Sequence, residues 1–451
     1  MSDTIFALAT APGRAAVAIV RVSGPGAGSA MRRLVKSPPA PRRAALRPLR
    51  RRADGGVIDR ALVLWFPGPA SATGEDCLEF HVHGGAAVVD ALTAELVECG
   101  LRLADPGEFT RRAFERGRID LAQAEAVADL VDAETEGQRR QALAQLDGAL
   151  SRAHEVWRGE LVEALALLEA AIDFPDEDLP ETIMAEVAPA LARLLGEIDQ
   201  ALNDAGRGEK VRDGYRVALI GAPNAGKSSL LNALAGREAA IVTPIPGTTR
   251  DVIEIPLTLA GFRVLLADTA GVRTAEDAVE VEGVRRARAW AEAADLRMFV
   301  VDGAEAGEAW REVAVLCRAQ DLCIVNKADL GVSTSGQTAY DWAEAAGLEV
   351  IPLSLLRGTE LTELRRVLER RVTDALSGAE FPAATQARHR RELASASHHL
   401  ARALSGLGRG DGVELAAEDV RLAARSLARV SGRVGAEDVL DRVFARFCIG
   451  K

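Results

Sequence analysis

The sequence predicts a multi-domain α/β protein in which a P-loop nucleotide-binding domain is inserted between two halves of a helical domain. Three observations predict this arrangement. Short apolar strands fill the first 118 residues, helix-spaced apolar residues follow, and strands and helices alternate after residue 215. Alternating strands and helices are typical of a doubly wound, mostly parallel sheet. The predicted segments are 1–118 (α+β), 119–211 (helical), 212–373 (nucleotide-binding) and 374–451 (helical).

The α+β segment should contain strands at Ile5–Ala9, Val17–Val22, Ala61–Phe66 and Leu78–Val82. Its charge is unusual, because residues 4–53 contain eleven Lys and Arg and no Asp or Glu, whereas the whole chain carries −11. Nine of these cations lie among four prolines in residues 32–52. Two interpretations stay open: contact with a nucleic-acid backbone, and a Pro-stiffened loop with its arginines in water.

The helical segments follow from apolar residues at helix spacing, such as Leu121, Ala124, Ala128 and Val131. The stretch 206–214 has the composition of a linker before the nucleotide-binding domain. In the second half, helices are predicted at Ala387–Leu404, Leu415–Val430 and Ala436–Phe447, and a Gly-rich turn at 406–412 joins the first two.

The inserted domain should contain strands at Val217–Ile220, Val264–Ala267, Met298–Val301, Leu322–Val325 and Val350–Leu353. Residues 221–228, Gly-Ala-Pro-Asn-Ala-Gly-Lys-Ser, match the P-loop pattern between the first strand and a helix at Ser229–Leu234. Glycines allow main-chain N–H groups to close around phosphates at a helix N-terminus. Lys227 can then neutralise the β- and γ-phosphates, and the Ser228 hydroxyl can hold Mg²⁺.

Three further motifs follow in the order that a GTP site requires. Residues 247–250 (Gly-Thr-Thr-Arg) can offer Thr249 as a second Mg²⁺ ligand. Residues 268–271 (Asp-Thr-Ala-Gly) end a strand, where Asp268 can position Mg²⁺ and the Gly271 N–H can reach the γ-phosphate. Residues 326–329 (Asn-Lys-Ala-Asp) supply a carboxylate that can accept hydrogen bonds from guanine N1 and N2. Adenine offers no such pair of donors, so the motifs predict GTP as the nucleotide.

The group that orients the attacking water is not settled by the residues alone. Val272 occupies the position of the Gln that performs this role in Ras-type enzymes, and its side chain cannot hydrogen-bond water. The nearest supply of carboxylates is the acidic run Glu276–Glu282, from which spacing does not select one member.

The composition limits the cellular compartments in which the protein is expected. No apolar run approaches the roughly 18 residues of a spanning helix, and no secretory signal is recognisable. The five cysteines are scattered without CxxC spacing, which fits a reducing compartment. We therefore expect a cytoplasmic protein with no membrane contact.

Over its full length the chain resembles the MnmE (TrmE) family of bacterial tRNA-modifying GTPases. The GTPase motifs match the family pattern, as do stretches outside that domain: Phe66–Pro69, Thr73–Asp76, Pro106–Phe109, Ile119–Ala126 and Phe447–Lys451. The resemblance implies an N-terminal domain that binds folate and forms the homodimer, a discontinuous helical domain and a Ras-like G domain. It implies that the family, with its FAD-dependent partner MnmG, adds an aminomethyl or carboxymethylaminomethyl group to C5 of the wobble uridine of certain tRNAs. The one-carbon unit would come from 5-formyl- or 5,10-methylene-tetrahydrofolate.

The family roles carry over to residues of this chain. A potassium site would use Asn224, Thr243, Ile245 and Thr248, and potassium would help two G domains to dimerise. Glu280 would orient the water and act in catalysis with Lys227 and Thr249, and folate would contact Arg21, Glu79, Arg118 and Lys451. Cys448 is a candidate for one-carbon chemistry or a buried helix-end thiol. The implied GTP-binding residues are Asn224, Ala225, Gly226, Lys227, Ser228, Ser229, Thr243, Thr248, Thr249, Asp268, Thr269, Ala270, Gly271, Asn326, Lys327, Asp329 and Ser354.

The chain departs from the family pattern in three places. Pro244 and Pro246 restrict the backbone of the potassium loop, and Ser354 is followed by leucines where a Ser-Ala motif is expected. His81 and His83 lie on one strand face with Glu79, where a metal site is disfavoured by the lack of further ligands. Two other functions remain open: a ribosome-assembly switch GTPase without base chemistry, and a folate-dependent aminomethyltransferase acting on a protein.

Overall fold

The computed structural model describes residues 3–173, 179–236, 254–268, 278–305, 307–355, 358–377, 384–409, 412–434, 440, 443–444, 447 and 450. The chain divides into two compact units. The first comprises residues 1–131, 145–198 and 391–451, and the second comprises residues 132–144 and 199–390. The four predicted domain segments stay a prediction.

The N-terminal sheet has six strands: β1 (Ile5–Leu8), β2 (Ala15–Ser23), β3 (Ala45–Arg50), β4 (Val57–Phe66), β5 (Cys77–Gly84) and β6 (Arg102–Leu103). Their order is β3-β4-β5-β2-β1-β6, so that β3 is an edge strand. Helices α1 (Ala27–Leu34) and α2 (Ala86–Glu98) pack against a core to which Val20, Val63 and Phe80 contribute. The alternation of buried and less buried residues along β4 and β5 explains why this sheet has one core face.

The strand predictions here are confirmed, and the interpretation of residues 32–52 as a loop is wrong in part. Ala45–Arg50 form β3, which pairs with β4 and includes Pro48. An edge strand tolerates proline because one of its sides has no hydrogen-bonding partner, and exposed arginines suit such an edge.

The helical part follows in chain order as α3 (Glu108–Glu115), α4 (Leu121–Val131), α5 (Glu136–Leu146), α6 (Ala149–Asp173) and α7 (Leu179–Asp213). Helix α7 runs through residues 206–213, so the predicted linker is wrong. The glycines of this stretch are held in the helix because Val211 is buried and Gln141 Nε2 donates to the Gly208 carbonyl at 3.2 Å.

The second sheet has strands β7 (Tyr215–Gly221), β8 (Glu254–Leu259), β9 (Phe262–Asp268), β10 (Leu296–Asp302), β11 (Leu322–Asn326) and β12 (Glu349–Leu353). Their order is β12-β11-β10-β7-β9-β8, and only β8, which the sequence analysis missed, runs antiparallel to its neighbour. Its helices are α8 (Lys227–Ala235), α9 (Ala278–Ala293), α10 (Trp310–Ala314), α11 (Thr334–Ala345) and α12 (Gly358–Leu376).

Successive residues of β7 are buried on opposite faces of the second sheet. Val217 and Leu219 belong to a core with α8 and α12, whereas Ala218 and Ile220 belong to a core with Trp310 of α10. Helices therefore cover both faces of a mostly parallel sheet, and the predicted doubly wound α/β class is confirmed.

The chain continues with α13 (Ala387–Arg409) and α14 (Val413–Val430), and α14 packs along α6. Helix α13 extends to Arg409, so Gly406 and Gly408 are helical and the predicted Gly-rich turn is shorter than expected. Most of the predicted helix Ala436–Phe447 lies outside the described residues. No helix in the described part of the chain is long and apolar enough to cross a membrane.

Candidate nucleotide-binding site

The P-loop lies between β7 and α8, as the motif predicts. Gly221 and Gly226 have φ of +154° and +99°. A Cβ on Gly221 would lie 2.2 Å from the Val300 carbonyl oxygen, and one on Gly226 would lie 2.0 Å from Asn326 Nδ2. Both positions therefore require glycine. Asn224, at the tip of the loop, also has a positive φ of 61°.

Lys227 is the first residue of α8 and points back over the loop. Its Nζ donates to the carbonyl oxygens of Gly221 at 2.9 Å and Ala222 at 2.8 Å, and the side chain is buried. The ammonium is therefore held at the helix N-terminus, where the backbone N–H groups already favour an anion.

Ser228 and Asp268 provide oxygen ligands on the other side of the loop. Ser228 Oγ donates to Asp268 Oδ2 at 2.6 Å, so the ends of α8 and β9 meet here. Asp268 Oδ1 is buried and has no hydrogen-bond partner among the described residues. Hydroxyl and carboxylate oxygens are the ligands that Mg²⁺ prefers, so these two residues fit the predicted magnesium site.

Residues after β11 form the side that would contact the base. Asn326 Nδ2 donates to the Ala225 carbonyl at 2.8 Å and so ties this segment to the P-loop. Lys327 has φ +60°, and its Nζ contacts Asp302 Oδ2 at 2.5 Å. Asp329 follows in a 3₁₀ turn, Ala328–Leu330.

A cavity of about 540 Å³ joins the two sides. Its lining consists of P-loop residues, the segment after β11 and one residue after β12: Asn224, Gly226, Lys227, Ser228, Ser229, Asn326, Lys327, Asp329, Leu330 and Leu355. The structure thus brings together the phosphate-side and base-side residues that the motifs predicted. Asp302, Leu330 and Leu355 were missed, because no motif marks them.

Ser354 has a different environment from the one that the motif suggested. The residue is fully buried, and its Oγ has no hydrogen-bond partner in the described part of the chain. Its main-chain N–H donates to Glu360 Oε2. Leu355, the next residue, lines the cavity instead. A direct contact between Ser354 and nucleotide stays a prediction.

Several predicted site residues lie outside the described residues: Thr243, Ile245, Thr248, Thr249, Thr269, Ala270, Gly271, Cys448 and Lys451. Glu280 lies in α9, and its side chain is outside the description.

The described residues among those predicted to bind folate, Arg21, Glu79 and Arg118, lie in the N-terminal sheet and beside it. Arg21 Nε donates to Glu79 Oε1 at 3.1 Å, and the Arg21 guanidinium lies over the Phe109 ring, 5.8 Å from its centroid. Arg21 pairs with Ala7 across β1 and β2, and a Cβ on Gly450 would lie 2.2 Å from the carbonyl of the neighbouring Leu8. Gly450 therefore lies beside the strand that pairs with Arg21. Arg118 is exposed, with its Cγ near Gly74.

The two histidines of β5 have separate partners. His81 Nε2 lies 3.2 Å from Glu79 Oε2, whereas His83 Nδ1 lies 2.9 Å from Asp59 Oδ1. Burial works against a lower pKa for Asp59, and hydrogen bonds from His83 and Arg60 outweigh it and lower that pKa. Among the described residues no group of three or more His, Cys, Asp or Glu is arranged to hold a metal ion.

A buried ionic network beside this region was not recognised in the sequence. Glu75 accepts hydrogen bonds from Ser23 Oγ at 2.8 Å, Arg112 Nη1 at 3.0 Å and Arg116 Nη2 at 2.6 Å. This network gives a structural reason for two of the stretches that match the family pattern. Thr73–Asp76 contains Glu75, and Pro106–Phe109 contains Glu108, which also pairs with Arg112. The residues of this network are far apart in the sequence, so no motif or spacing predicts that they pair.

The strand, P-loop, helix and guanine-type segment define a P-loop GTPase domain. A family model described as the MnmE helical domain matches residues 121–448, and one described as the GTP-binding protein TrmE N-terminus matches residues 4–118. Proteins named tRNA modification GTPase MnmE from Phenylobacterium zucineum and Caulobacter vibrioides are 59% and 58% identical, each over 100% of both chains. The chain belongs to the MnmE (TrmE) family of tRNA modification GTPases. The predicted family and enzyme class are confirmed.

Among solved structures, the G domain of the T. maritima FeoB iron transporter is 24% identical, with a TM-score of 0.26, over 35% of this chain and 98% of that one. This low score carries no argument about function.

Proposed function

We propose that this protein hydrolyses GTP while it modifies tRNA together with MnmG. The reaction would add an aminomethyl or carboxymethylaminomethyl group to C5 of the wobble uridine, with a tetrahydrofolate derivative as one-carbon donor. The observation that carries the GTPase part is the cavity in which Lys227, Ser228 and Asp329 converge. Family membership supports the tRNA part.

The residues of the cavity have separable tasks. Lys227 and the N-terminus of α8 bind the phosphates, and Asp329 selects guanine by accepting from its N1 and N2 groups. Ser228 and Asp268 would hold Mg²⁺, which supplies charge stabilisation when it is bound. Asn224 offers an amide oxygen at the loop tip for potassium, together with Thr243, Ile245 and Thr248, which lie outside the described residues.

Arg21 and Glu79 are suited to a folate derivative. They form a half-buried ion pair with side chains 31% and 18% exposed. A carboxylate and a guanidinium held together in this way can bind the amide edge of a pterin ring and an anionic tail. The homodimer through the N-terminal segment, and pairing of G domains in potassium, belong to the same proposal.

Replacement of Glu280 tests the hydrolytic role. We expect Glu280→Ala to abolish GTP hydrolysis with little change in GTP affinity, because the residue would act on the water and not on the nucleotide. Glu276→Ala in the same acidic run is the matched control and should hydrolyse GTP normally. Turnover and nucleotide affinity are measured in potassium and in sodium. Equal loss in both variants would contradict the assignment of Glu280, and equal wild-type turnover in the two salts would contradict the potassium site.

Nucleosides from a deletion strain test the base chemistry. We expect mass spectrometry to find unmodified wobble uridine in the affected tRNAs, and the wild-type gene to restore the modification. Unchanged wobble nucleosides in a strain with accumulated ribosomal precursors would instead support the alternative, a ribosome-assembly switch GTPase.

A further inference from the structure

We propose that the edge of the N-terminal sheet around β3 binds the phosphate backbone of RNA. The surface, here called the arginine edge, consists of Arg42, Arg43, Arg47, Arg50, Arg51, Arg52 and Arg60. That the RNA is tRNA rests on the proposed function. The inference starts from the charge of these side chains and from how they are held.

The arginine edge carries more positive charge than the carboxylates beside it can balance, with seven arginines against Asp54, Asp59 and Glu95. Of its seven members only Arg51 has a described carboxylate within ion-pair distance, Asp54 at 3.8 Å. Arginines elsewhere in the same segment behave differently, since Arg112 of α3 pairs with both Glu75 and Glu108. An acidic chain that leaves these cations unpaired presents a local field that attracts a polyanion.

Main-chain carbonyls hold several of these guanidinium groups in place. Arg47 donates to the carbonyl oxygens of Ser37 at 2.7 Å and Leu46 at 3.0 Å, and Arg50 donates to that of Gly55 at 2.9 Å. Arg42 donates to the Ala70 carbonyl and lies near the Phe66 ring. A neutral carbonyl orders the side chain without cancelling its charge, so less freedom is lost when a phosphate binds.

The nearby carboxylates are engaged with other groups. Asp59 accepts from the main-chain N–H of His83 at 2.8 Å and lies near its ring. Glu95 accepts from the main-chain N–H of Arg52 at 3.1 Å. Each carboxylate thus has a main-chain partner, and among the described side chains neither lies within ion-pair distance of an arginine of this edge.

The position of β3 makes the surface accessible and selects the kind of partner. Arg43, Arg52 and Arg60 are exposed, and Arg60 lies opposite Pro48 in the β3–β4 pairing. Proline at the edge lacks the N–H that an added strand would need. A second copy of this edge would also bring like charges together. A phosphate backbone satisfies both conditions, because it needs cations and no strand pairing.

The test compares two triple variants of the full-length protein. One is Arg43→Gln/Arg52→Gln/Arg60→Gln. The matched control is Arg311→Gln/Arg366→Gln/Arg370→Gln, which removes three exposed arginines that pair with Glu308, Glu363 and Glu349. Affinity for tRNA from the deletion strain is measured between 50 and 200 mM salt. We expect the first variant to lose about tenfold or more in affinity at low salt, with a salt slope smaller by about 2 to 3. The control should resemble wild type.

Further measurements make the outcomes decisive. GTP hydrolysis should be unchanged in the arginine-edge variant, and its thermal unfolding should match wild type, which shows that the N-terminal sheet is folded. Arg→Lys at the same three positions should retain most of the tRNA affinity. Equal tRNA binding by the variant and wild type would overturn this surface while leaving the proposed function intact. Loss of binding to phosphatidylglycerol vesicles, with tRNA binding unchanged, would overturn it in favour of a membrane surface. Failure of the wild type to bind tRNA would overturn it too; the nucleoside measurement then decides whether the proposed function also fails.

Discussion

At the scale of single residues, the proposed GTP site assigns base selection to one carboxylate. Asp329 lies in the turn that Lys327 begins, and the 2.5 Å contact of Lys327 with Asp302 fixes that turn. We expect Asp329→Asn to lower GTP affinity by about 100-fold or more, because the amide oxygen can still accept from guanine N1 but the amide N–H group faces the N2 donor. One hydrogen bond to a charged acceptor is lost and the other loses its charge, at roughly 1.5–3 kcal/mol each.

The same variant should gain affinity for xanthosine triphosphate, because the amide of asparagine can donate to the additional oxygen of xanthine. Equilibrium titration with GTP, XTP and ATP measures this change in specificity. An unchanged preference of the Asp329→Asn variant for GTP would show that another group recognises the base.

At this scale, the site residues that could be predicted are those that lie in a continuous sequence motif. Lys227, Ser228 and Asp329 lie in short patterns whose spacing fixes their roles, and the cavity contains all three. Asp302, which holds Lys327, and Glu75, which accepts from Arg112, lie in no such pattern. Their partners are selected by folding, so a single sequence gives no means of pairing them.

At the scale of elements, the first turn of α5 is held against the hairpin between β8 and β9. The Gly137 N–H donates to the Gly261 carbonyl at 2.9 Å, and Glu134 lies 3.2 Å from Arg263. A Cβ on Gly137 would lie 2.8 Å from Phe262 Cδ1. The turn of this hairpin lies at the end of β9 opposite Asp268, so the contact holds the end of the second sheet that is remote from the nucleotide cavity.

We expect Gly137→Ala to destabilise the protein although alanine favours helices. The clash should cost about 1–3 kcal/mol, whereas Gly159→Ala in α6, where no atom lies within 4 Å, should gain about 0.5–1 kcal/mol. Hydrogen exchange of the β8–β9 hairpin measures the effect locally. Phe262→Leu should restore part of the loss, and an equal effect of both alanine variants would contradict the steric explanation.

Elements were predictable where periodicity was strong, and the failures have physical causes. Each of the five predicted strands of the second sheet overlaps an observed strand, because their residues are apolar throughout, and in β7, β10 and β11 the predicted residues are buried on both faces. Strand β3 was missed because arginine and proline are not typical of strands. They fit here because β3 is an edge strand. Residues 206–213 were misread because glycine weakens a helix by only about 1 kcal/mol, which packing readily offsets.

At the scale of the whole molecule, the first and last parts of the sequence belong to one compact unit, and Gly450 lies against β1 within it. Gly450 has φ +100°, and its backbone lies against Leu8 of β1. Leu8 is next to Ala7, the residue that pairs with Arg21. Glycine is required here both by the backbone conformation and by the 2.2 Å approach of a Cβ to the Leu8 carbonyl. This close contact places Gly450 beside β1, the neighbour of the strand that carries Arg21.

We therefore expect Gly450→Ala to displace the terminal segment and to lower affinity for 5-formyl-tetrahydrofolate by about tenfold or more, the loss of a charged contact from Lys451. GTP affinity and hydrolysis should stay at wild-type levels, because the nucleotide cavity belongs to the other unit. Calorimetric titration measures both ligands. Gly85→Ala, where a Cβ meets no atom within 4 Å, is the matched control and should bind folate normally. Normal folate binding by Gly450→Ala would separate the folate site from the chain terminus, and a parallel loss of GTP binding would indicate general misfolding.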